Sequence, residues 1–148
     1  FWMKNAYLYP KQATAPGAVV TPEAMVPVTN LRVKSVISFP ENRSRIESGQ
    51  RIVVRGAAWS GEKGPVAAVD VSVDRGRTWR PARPTGTRTP FGWRLWEFTW
   101  TAPDNGHHTL LARARDVSGA VQPLVQEWNP SGYLWNQYDS VRIEVKGA

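Results

Sequence analysis

The sequence predicts an all-β domain, an immunoglobulin-like antiparallel β-sandwich of about seven short strands. Short apolar stretches alternate with polar residues at a period of two, and turn residues separate them at intervals of roughly 8 to 15 residues. The 12 Gly and 12 Pro are spread along the chain, and no segment has the period of an amphipathic helix. A closed β-barrel is the alternative architecture.

The strand predicted at residues 93–100 carries four aromatic side chains in eight residues. A period of two places Trp96, Phe98 and Trp100 on one face, which we expect to belong to the core. Trp93 and Leu95 lie on the opposite face, which is also apolar. They are therefore candidate interface residues, and the alternative is that a loop of the same domain covers them.

Six further stretches complete the predicted sandwich: residues 31–39, 50–59, 66–73, 78–81, 107–116 and 138–145. Their alternation assigns the following residues to the core: Ile52, Val54, Gly56 and Ala58; Val69, Val71 and Val73; Leu110, Ala112 and Ala114; Val141, Ile143 and Val145. Residues 41–49 and 83–92 are predicted to be polar turns or loops. Residues 121–137 have no clean period and form a candidate functional loop.

The chain divides into three predicted parts. Residues 1–10 are aromatic, residues 11–30 are predicted to be an extended Pro-rich linker, and residues 31–148 form the sandwich domain. The chain begins with Phe1, without a basic-then-apolar leader or an apolar run of the ~20 residues that a membrane helix needs. We therefore expect a soluble, mature or cut product.

Charge and composition narrow the function classes. The net charge is +7 and there is no cysteine, which excludes a thiolate nucleophile or a Cys-ligated metal in this chain. The arginines that gather in one region would suit nucleic acid, an acidic partner or an anionic substrate, or form a solvated basic face; they are Arg75, Arg77, Arg80, Arg83, Arg88 and Arg94.

Residues 72–79 predict a hairpin in which the Asp74 carboxylate accepts turn N–H groups and Trp79 packs across the strands. His107 and His108 are adjacent and point to opposite faces of a strand, so they cannot chelate one metal together. No serine has a recognisable base and elbow. We therefore expect no catalytic, cofactor-binding or metal residue in this chain.

Several motifs stand in the order and spacing of one family: residues 33–37 (VKSVI), 55–61 (RGAAWSG), 69–79 (VDVSVDRGRTW), 93–96 (WRLW), 114–116 with 121–123 (ARD and VQP) and 128–129 (WN). Together they resemble the C-terminal dimerisation domain of molybdenum-cofactor sulfite oxidases and bacterial sulfite dehydrogenases. The match covers about residues 33–145. Residues 1–7 also resemble the last segment of the molybdenum domain in bacterial, cytochrome-linked members.

The resemblance implies an immunoglobulin-like domain that forms a homodimer and packs against the molybdenum domain of its own protein. It implies a parent enzyme that oxidises sulfite to sulfate at molybdopterin-bound molybdenum, and passes electrons to a cytochrome c or another haem acceptor. The cofactor-binding domain would be absent from this chain, with residues 1–10 as its remnant. The Pro-Ser-Gly-Tyr form at residues 130–133 is similar to bacterial sulfite dehydrogenases, which implies a periplasmic protein. From the residues themselves, scarce lysine and tryptophans at core positions argue against nucleic acid as a partner, and the lack of a long apolar run argues against a membrane.

The resemblance also marks a candidate edge of the substrate pocket. In many eukaryotic members the Trp-Asn pair is followed by Leu-Arg-Gly, and the arginine helps line the anionic pocket. Here the corresponding residues are Trp128, Asn129, Ser131 and Tyr133, with Ser131 in the place of the arginine. A serine offers a neutral donor instead of a fixed cation, which puts direct contact with sulfite or sulfate in doubt.

Two other functions stay open at this point. One is a free-standing immunoglobulin-like module that binds an acidic partner through its arginine-rich loop. The other is a polypeptide that is catalytic by itself.

Overall fold

The computed structural model describes residues 6–61, 64–89 and 91–147. Within them the backbone forms one 3₁₀ turn, Pro22–Ala24, and the following strands: β1 (Leu8–Pro10), β2 (Met25–Pro27), β3 (Lys34–Phe39), β4 (Ser44–Glu47), β5 (Arg51–Trp59), β6 (Val66–Ser72), β7 (Arg80–Pro81), β8 (Arg83–Thr85), β9 (Arg94–Thr101), β10 (Gly106–Asp116) and β11 (Asp139–Lys146). The predicted all-β class is confirmed. In the described part of the chain, no helix is long and apolar enough to cross a membrane.

Two main sheets form the predicted sandwich. One has four strands in the order β3-β5-β9-β8, and the other has five strands in the order β4-β11-β10-β6-β7. Almost every pair of neighbouring strands is antiparallel, as predicted. The exception is β4, which runs parallel to β11 and pairs Ile46 with Val145.

The core lies between the two sheets. The four-stranded sheet contributes Trp96, Phe98 and Trp100 from β9, which are 2%, 7% and 4% exposed, and this confirms the predicted inner face. The other predicted core positions of β5, β6, β10 and β11 are also buried. Val73 is half-buried, packs against the core and follows the end of β6.

Gly56 explains how the large indole of Trp96 fits into this core. The two residues are partners across β5 and β9. A Cβ atom at Gly56 would lie 2.2 Å from both Trp96 Cζ2 and the carbonyl oxygen of Val36. The absence of a side chain at position 56 therefore makes the space that the indole fills.

Two segments predicted to be loops form edge strands instead. Residues 41–49 contain β4, where Ile46 is buried and its neighbours are polar, so a single inward residue gave too little alternation to predict a strand. Residues 83–92 contain β8, which pairs Arg83 with Glu97 and Thr85 with Leu95. Pro84 fits there because an edge strand leaves one side without ladder hydrogen bonds.

The N-terminal segment folds back on itself. Strands β1 and β2 pair antiparallel, with Leu8 opposite Pro27 and Pro10 opposite Met25. The amide of Val28 also donates to the carbonyl of Tyr7 at 2.7 Å. Residues 11–30, predicted to be an extended linker, therefore make a turn and return to β1. The division into 1–10, 11–30 and 31–148 stays a prediction, and residues 1–5 lie outside the described residues.

Candidate functional site

The predicted hairpin between β6 and β7 is confirmed. Asp74 accepts hydrogen bonds from the hydroxyl and the amide of Thr78, at 2.5 and 2.9 Å, and from the Ser72 hydroxyl at 2.8 Å. The Thr78 hydroxyl, the Thr78 amide and then Ser72 lower the pKa of Asp74 from its ordinary 3.8 to about 2. The Trp79 indole donates to the carbonyl of Gly76 at 3.1 Å. This motif stabilises a turn.

The outer face of the five-stranded sheet is covered by its own side chains. The Arg113 guanidinium carbon lies 4.1 Å from the centre of the Trp79 ring, a cation–π geometry. Arg113 also donates to the Tyr138 hydroxyl at 3.3 Å and to the Asp70 carboxylate at 3.4 Å. The Trp79 and Tyr138 rings meet edge to face, with centroids 5.1 Å apart. Each group in this cluster therefore has a partner within the domain.

The outer face of the four-stranded sheet is different. Trp93 and Leu95, the predicted interface residues, are 66% and 50% exposed. The Trp93 ring stacks on Trp59, with centroids 5.4 Å apart and planes 25° apart. Backbone pairing places Leu95 beside Ala57, and Ala57 beside Val36. We call these five residues, Val36, Ala57, Trp59, Trp93 and Leu95, the outer apolar face.

Charged residues border the outer apolar face on β5, β8 and β9. Glu97 is the pairing partner of both Arg55 and Arg83 in the sheet, and its carboxylate forms an ion pair with the Arg83 guanidinium. Both signs of charge therefore lie next to the exposed side chains of Trp93 and Leu95. This arrangement is typical of an interface, with an apolar centre and a polar rim.

The predicted edge of the substrate pocket is a single turn. The Asn129 amide donates to the carbonyl of Tyr133 at 3.0 Å, and its oxygen accepts from the Tyr133 amide at 3.3 Å. Ser131 is exposed within this turn. The Tyr133 ring lies 5.7 Å from the ring of Tyr7, between centroids. Trp128 and Asn129 line a small cleft together with Tyr9 and Pro10 of β1.

The four predicted pocket residues are thus brought together, next to the N-terminal segment. Their contact with a substrate stays a prediction.

The structure also shows that the arginines at 75–94 are divided between elements, since Arg80 lies on β7 and Arg83 on β8, strands of different sheets. Arg80 places its guanidinium carbon 4.7 Å from the centre of the Phe98 ring.

Gln122 is an important residue that the sequence did not reveal. Its side-chain oxygen accepts from the amides of Ser35 and Ala114, at 2.8 and 3.0 Å. Its side-chain nitrogen donates to the carbonyls of Ser35 and Gln137, at 3.3 and 2.7 Å. Gln122 therefore connects β3 of one sheet to β10 of the other and fastens the loop of residues 121–137. A single glutamine before Pro123 has no periodic signal that could have predicted this role.

A family model, the Mo-co oxidoreductase dimerisation domain, matches residues 25–146. The chain belongs to this family. Mitochondrial sulfite oxidase of Rattus norvegicus is 33% identical over 125 residues, which cover 80% of this chain and 23% of that protein. Sulfite oxidase of Gallus gallus is 36% identical over 113 residues, which cover 72% of this chain and 24% of that protein. The dimerisation domain thus spans about a quarter of the length of these relatives.

Solved structures agree with this assignment. The sulfane dehydrogenase SoxCD from Paracoccus pantotrophus matches 97% of this chain and 36% of its own chain, with a TM-score of 0.73 and 27% identity. Fibronectin(III)-like modules of CbhA from Clostridium thermocellum match 84% of this chain and 53% of their own, with a TM-score of 0.52 and 19% identity. The second likeness shows the fold alone, and it agrees with the predicted immunoglobulin-like sandwich.

Proposed function

We propose that two copies of this dimerisation domain associate through the outer apolar face to form the homodimer of a molybdenum-cofactor oxidoreductase. The observation that carries the proposal is the exposure of Trp93 and Leu95 within a continuous apolar cluster. Burying one such side chain contributes roughly 1.5–3 kcal/mol, so a pair on each copy offers a substantial driving force. The opposite sheet presents instead the Arg113, Trp79 and Tyr138 cluster, whose groups already have partners.

A two-fold arrangement suits the chemistry of this face. In an isologous dimer the same patch faces itself, so the patch must be complementary to its own copy. Apolar residues satisfy this condition at the centre. At the border, Glu97 is negative and Arg83 is positive. A two-fold axis can therefore place Glu97 of one copy against Arg83 of the other copy.

We further propose that the parent enzyme oxidises sulfite to sulfate. The support is that sulfite oxidases are 31–36% identical to this chain, while a nitrate reductase of Aspergillus niger is 26% identical over 141 residues. Because SoxCD is a sulfane dehydrogenase, a sulfane is the main competing substrate for the parent enzyme. A cytochrome c or another haem protein is the proposed electron acceptor, and the bacterial periplasm is the proposed compartment.

The molybdenum cofactor is proposed to bind to the part of the parent enzyme outside this chain. The sequence has no cysteine to serve as a thiolate ligand. In the described part of the chain, no three His, Asp or Glu residues form a group that could hold a metal ion. These residues do not fit a molybdenum site, so this domain is assigned dimerisation and docking against the cofactor domain.

The turn closed by Asn129 is the part of this domain proposed to reach the substrate pocket. Its contacts with Tyr7 and the cleft beside Pro10 place it against the segment that leads in from the N-terminus. Ser131 would give that pocket a neutral hydrogen-bond donor. In the holoenzyme, a direct hydrogen bond from Ser131 to sulfite predicts that Ser131→Ala raises the KM for sulfite about tenfold or more, whereas an unchanged KM would show that Ser131 does not contact the substrate.

Sedimentation equilibrium on matched variants tests the proposed dimer surface. Leu95→Asp places a charge in the outer apolar face and is expected to weaken self-association at least about tenfold. Trp93→Ala should weaken it too. Ser140→Asp is the matched control, because Ser140 is exposed on β11, on the outer side of the opposite sheet and away from Leu95. Unchanged association of both Leu95→Asp and Trp93→Ala would exclude this surface.

Steady-state assays of the full-length parent, loaded with cofactor, test the proposed activity. Sulfite, nitrate and a sulfane donor are supplied separately, with cytochrome c as acceptor for the two sulfur substrates and a reduced donor for nitrate. The proposal expects the highest kcat/KM for sulfite. A higher value for either competitor would reassign the parent enzyme and leave the dimer surface untouched.

A further inference from the structure

A cavity of about 500 Å³ lies between the segment that follows β2 and the loop of residues 121–137. Apolar side chains, among them Val33, Pro123 and Leu134, form much of its wall. Ser60, Asp116 and Asn136 contribute polar groups to the same wall. The volume and the mixture of an apolar wall with a few polar groups are those of a small-ligand pocket.

Asn136, which lines this cavity, has one polar atom without a partner among the described residues. Its residue exposure is 5%, its backbone amide donates to Gln126 Oε1 at 2.6 Å, and its Nδ2 donates to the carbonyl of Val33 at 3.2 Å. Its Oδ1 is buried and accepts no hydrogen bond from the described residues. A buried acceptor without a donor costs about 1–3 kcal/mol, so the occupant of the cavity is expected to supply an N–H or O–H group.

Asp116 adds a negative charge to the same wall. Its carboxylate is held only by neutral donors among the described residues: the hydroxyl and amide of Ser118, the amide of Ala120 and the hydroxyl of Ser60, at 2.7 to 3.1 Å. Burial raises the pKa of Asp116, but the hydrogen bonds from Ser118, Ser60 and Ala120 outweigh burial, and the net pKa lies below its ordinary value. The carboxylate is therefore anionic at neutral pH.

The other two charged residues of the described wall compensate each other. The Arg32 guanidinium and the Glu127 carboxylate form an ion pair at 2.9 Å. This pair leaves the charge of Asp116 without a cationic partner in the described wall. An anion is disfavoured by that charge, and a purely apolar occupant would leave Asn136 Oδ1 without a donor.

We propose that this cavity binds a cation that carries N–H donors on an aliphatic stem, the chemistry of an arginine or lysine side chain. The head group meets Asn136 Oδ1 and the Asp116 carboxylate, and the stem packs on Val33, Pro123 and Leu134. Long basic side chains combine an apolar stem with a charged head in this manner. The source of the cation is either a polypeptide packed against this end of the sandwich or a small free amine.

Amide-detected NMR on the 148-residue chain tests the proposal, with Nα-acetyl-arginine N-methylamide as the probe. The expected result is a saturable shift of the Asn136 side-chain NH₂ and the Ala120 amide. The citrulline analogue has the same shape without the charge, and it should bind at least about tenfold more weakly. Butylguanidine separates the two sources: weaker binding than the blocked arginine indicates a polypeptide, and equal binding indicates a small amine.

Two variants locate the bound head group. Asp116→Asn keeps the oxygen that binds Ser118 and removes the charge, while Asn136→Leu removes the free acceptor. Each is expected to weaken binding of the arginine probe about tenfold. Glu144→Gln is the matched control, because it removes a carboxylate on β11 outside the cavity. The proposal fails if neither cation gives a saturable shift, or if citrulline binds equally well; Asn136 Oδ1 is then satisfied by water alone.

Discussion

The indole nitrogen of Trp96 donates a hydrogen bond to the Ser35 hydroxyl at 3.0 Å inside the sandwich, where both residues are buried. The backbone of Ser35 is in turn bound on both its N–H and its C=O by the side chain of Gln122. One chain of polar contacts therefore runs from β9 through β3 to the loop before β11. Because a buried polar group is costly when its partner is lost, these three residues should be strongly coupled.

We predict that Trp96→Phe lowers the free energy of unfolding by about 2 kcal/mol or more, since it removes a donor and leaves a cavity. Ser35→Ala should cost about 1 kcal/mol. The double variant should cost less than the sum, because no hydroxyl is then left unpaired. Urea unfolding followed by circular dichroism measures all three. Strictly additive costs would show that the hydrogen bond contributes nothing.

We predict a larger effect for Gln122→Leu, about 3 kcal/mol or more, because four backbone groups on three segments lose their partner together. Gln126→Leu is a suitable control, since the Gln126 oxygen accepts one hydrogen bond from Asn136 in the same loop. Limited proteolysis should cut residues 121–137 faster in the Gln122 variant. Equal cleavage in both variants would show that the hydrogen bonds of Gln122 do not anchor this loop.

Gly56→Ala adds one methyl group and should lower the stability of the chain more than most substitutions of that size. The added Cβ would lie 2.2 Å from the Trp96 ring and from the Val36 carbonyl, and backbone cannot yield as a flexible side chain does. We expect a loss of about 3 kcal/mol, the upper part of the range for overpacking. Thermal unfolding measures it, with Gly147→Ala as the control, where the nearest atoms are 3.2 Å away on the side chain of Asn105. Equal Tm values would contradict the predicted clash.

The free energy of unfolding should fall at acidic pH, because the Asp74 carboxylate stabilises the turn between β6 and β7 when it is ionised. The pKa of Asp74 is about 2 in the folded chain and 3.8 ordinarily, so the unfolded chain binds the proton more readily. The stabilising contribution is complete above pH 3.8 and is lost as the pH falls from 3.8 towards 2. Asp74→Asn should flatten this part of the profile of urea midpoint against pH. An unchanged slope between pH 3.8 and 2 in the Asp74→Asn variant would contradict this contribution.

The strands that a period of two could predict were those with several inward residues, such as residues 107–116 and the aromatic run at 93–100. Strand β4 was missed because Ile46 is its single buried residue, and β8 because Pro84 and its polar neighbours are typical of a loop. Pairing of β1 with β2 depends on contacts between distant residues, which local patterns do not encode.

The candidate surfaces were predictable only in part. The exposed pair Trp93 and Leu95 followed from alternation, because a strand has only two faces. The stacking of Trp93 on Trp59 needs the register of β5 against β9, and this register is set by the whole sheet. The Asn136 oxygen that has no partner among the described residues could not be predicted either, since its surroundings result from three segments that meet only in the folded chain.

The proposed dimer is tested most directly by distances between spin labels on single-cysteine variants, which the cysteine-free sequence makes simple to prepare. Thr99→Cys labels the outer side of the four-stranded sheet, and Ser140→Cys labels the outer side of the five-stranded sheet. Since packed sheets lie ~10 Å apart in each copy, a dimer through the outer apolar face should place the label pair at 99 closer than the pair at 140 by about 20 Å. A shorter distance at 140, or no distance between copies at either position, would contradict this dimer.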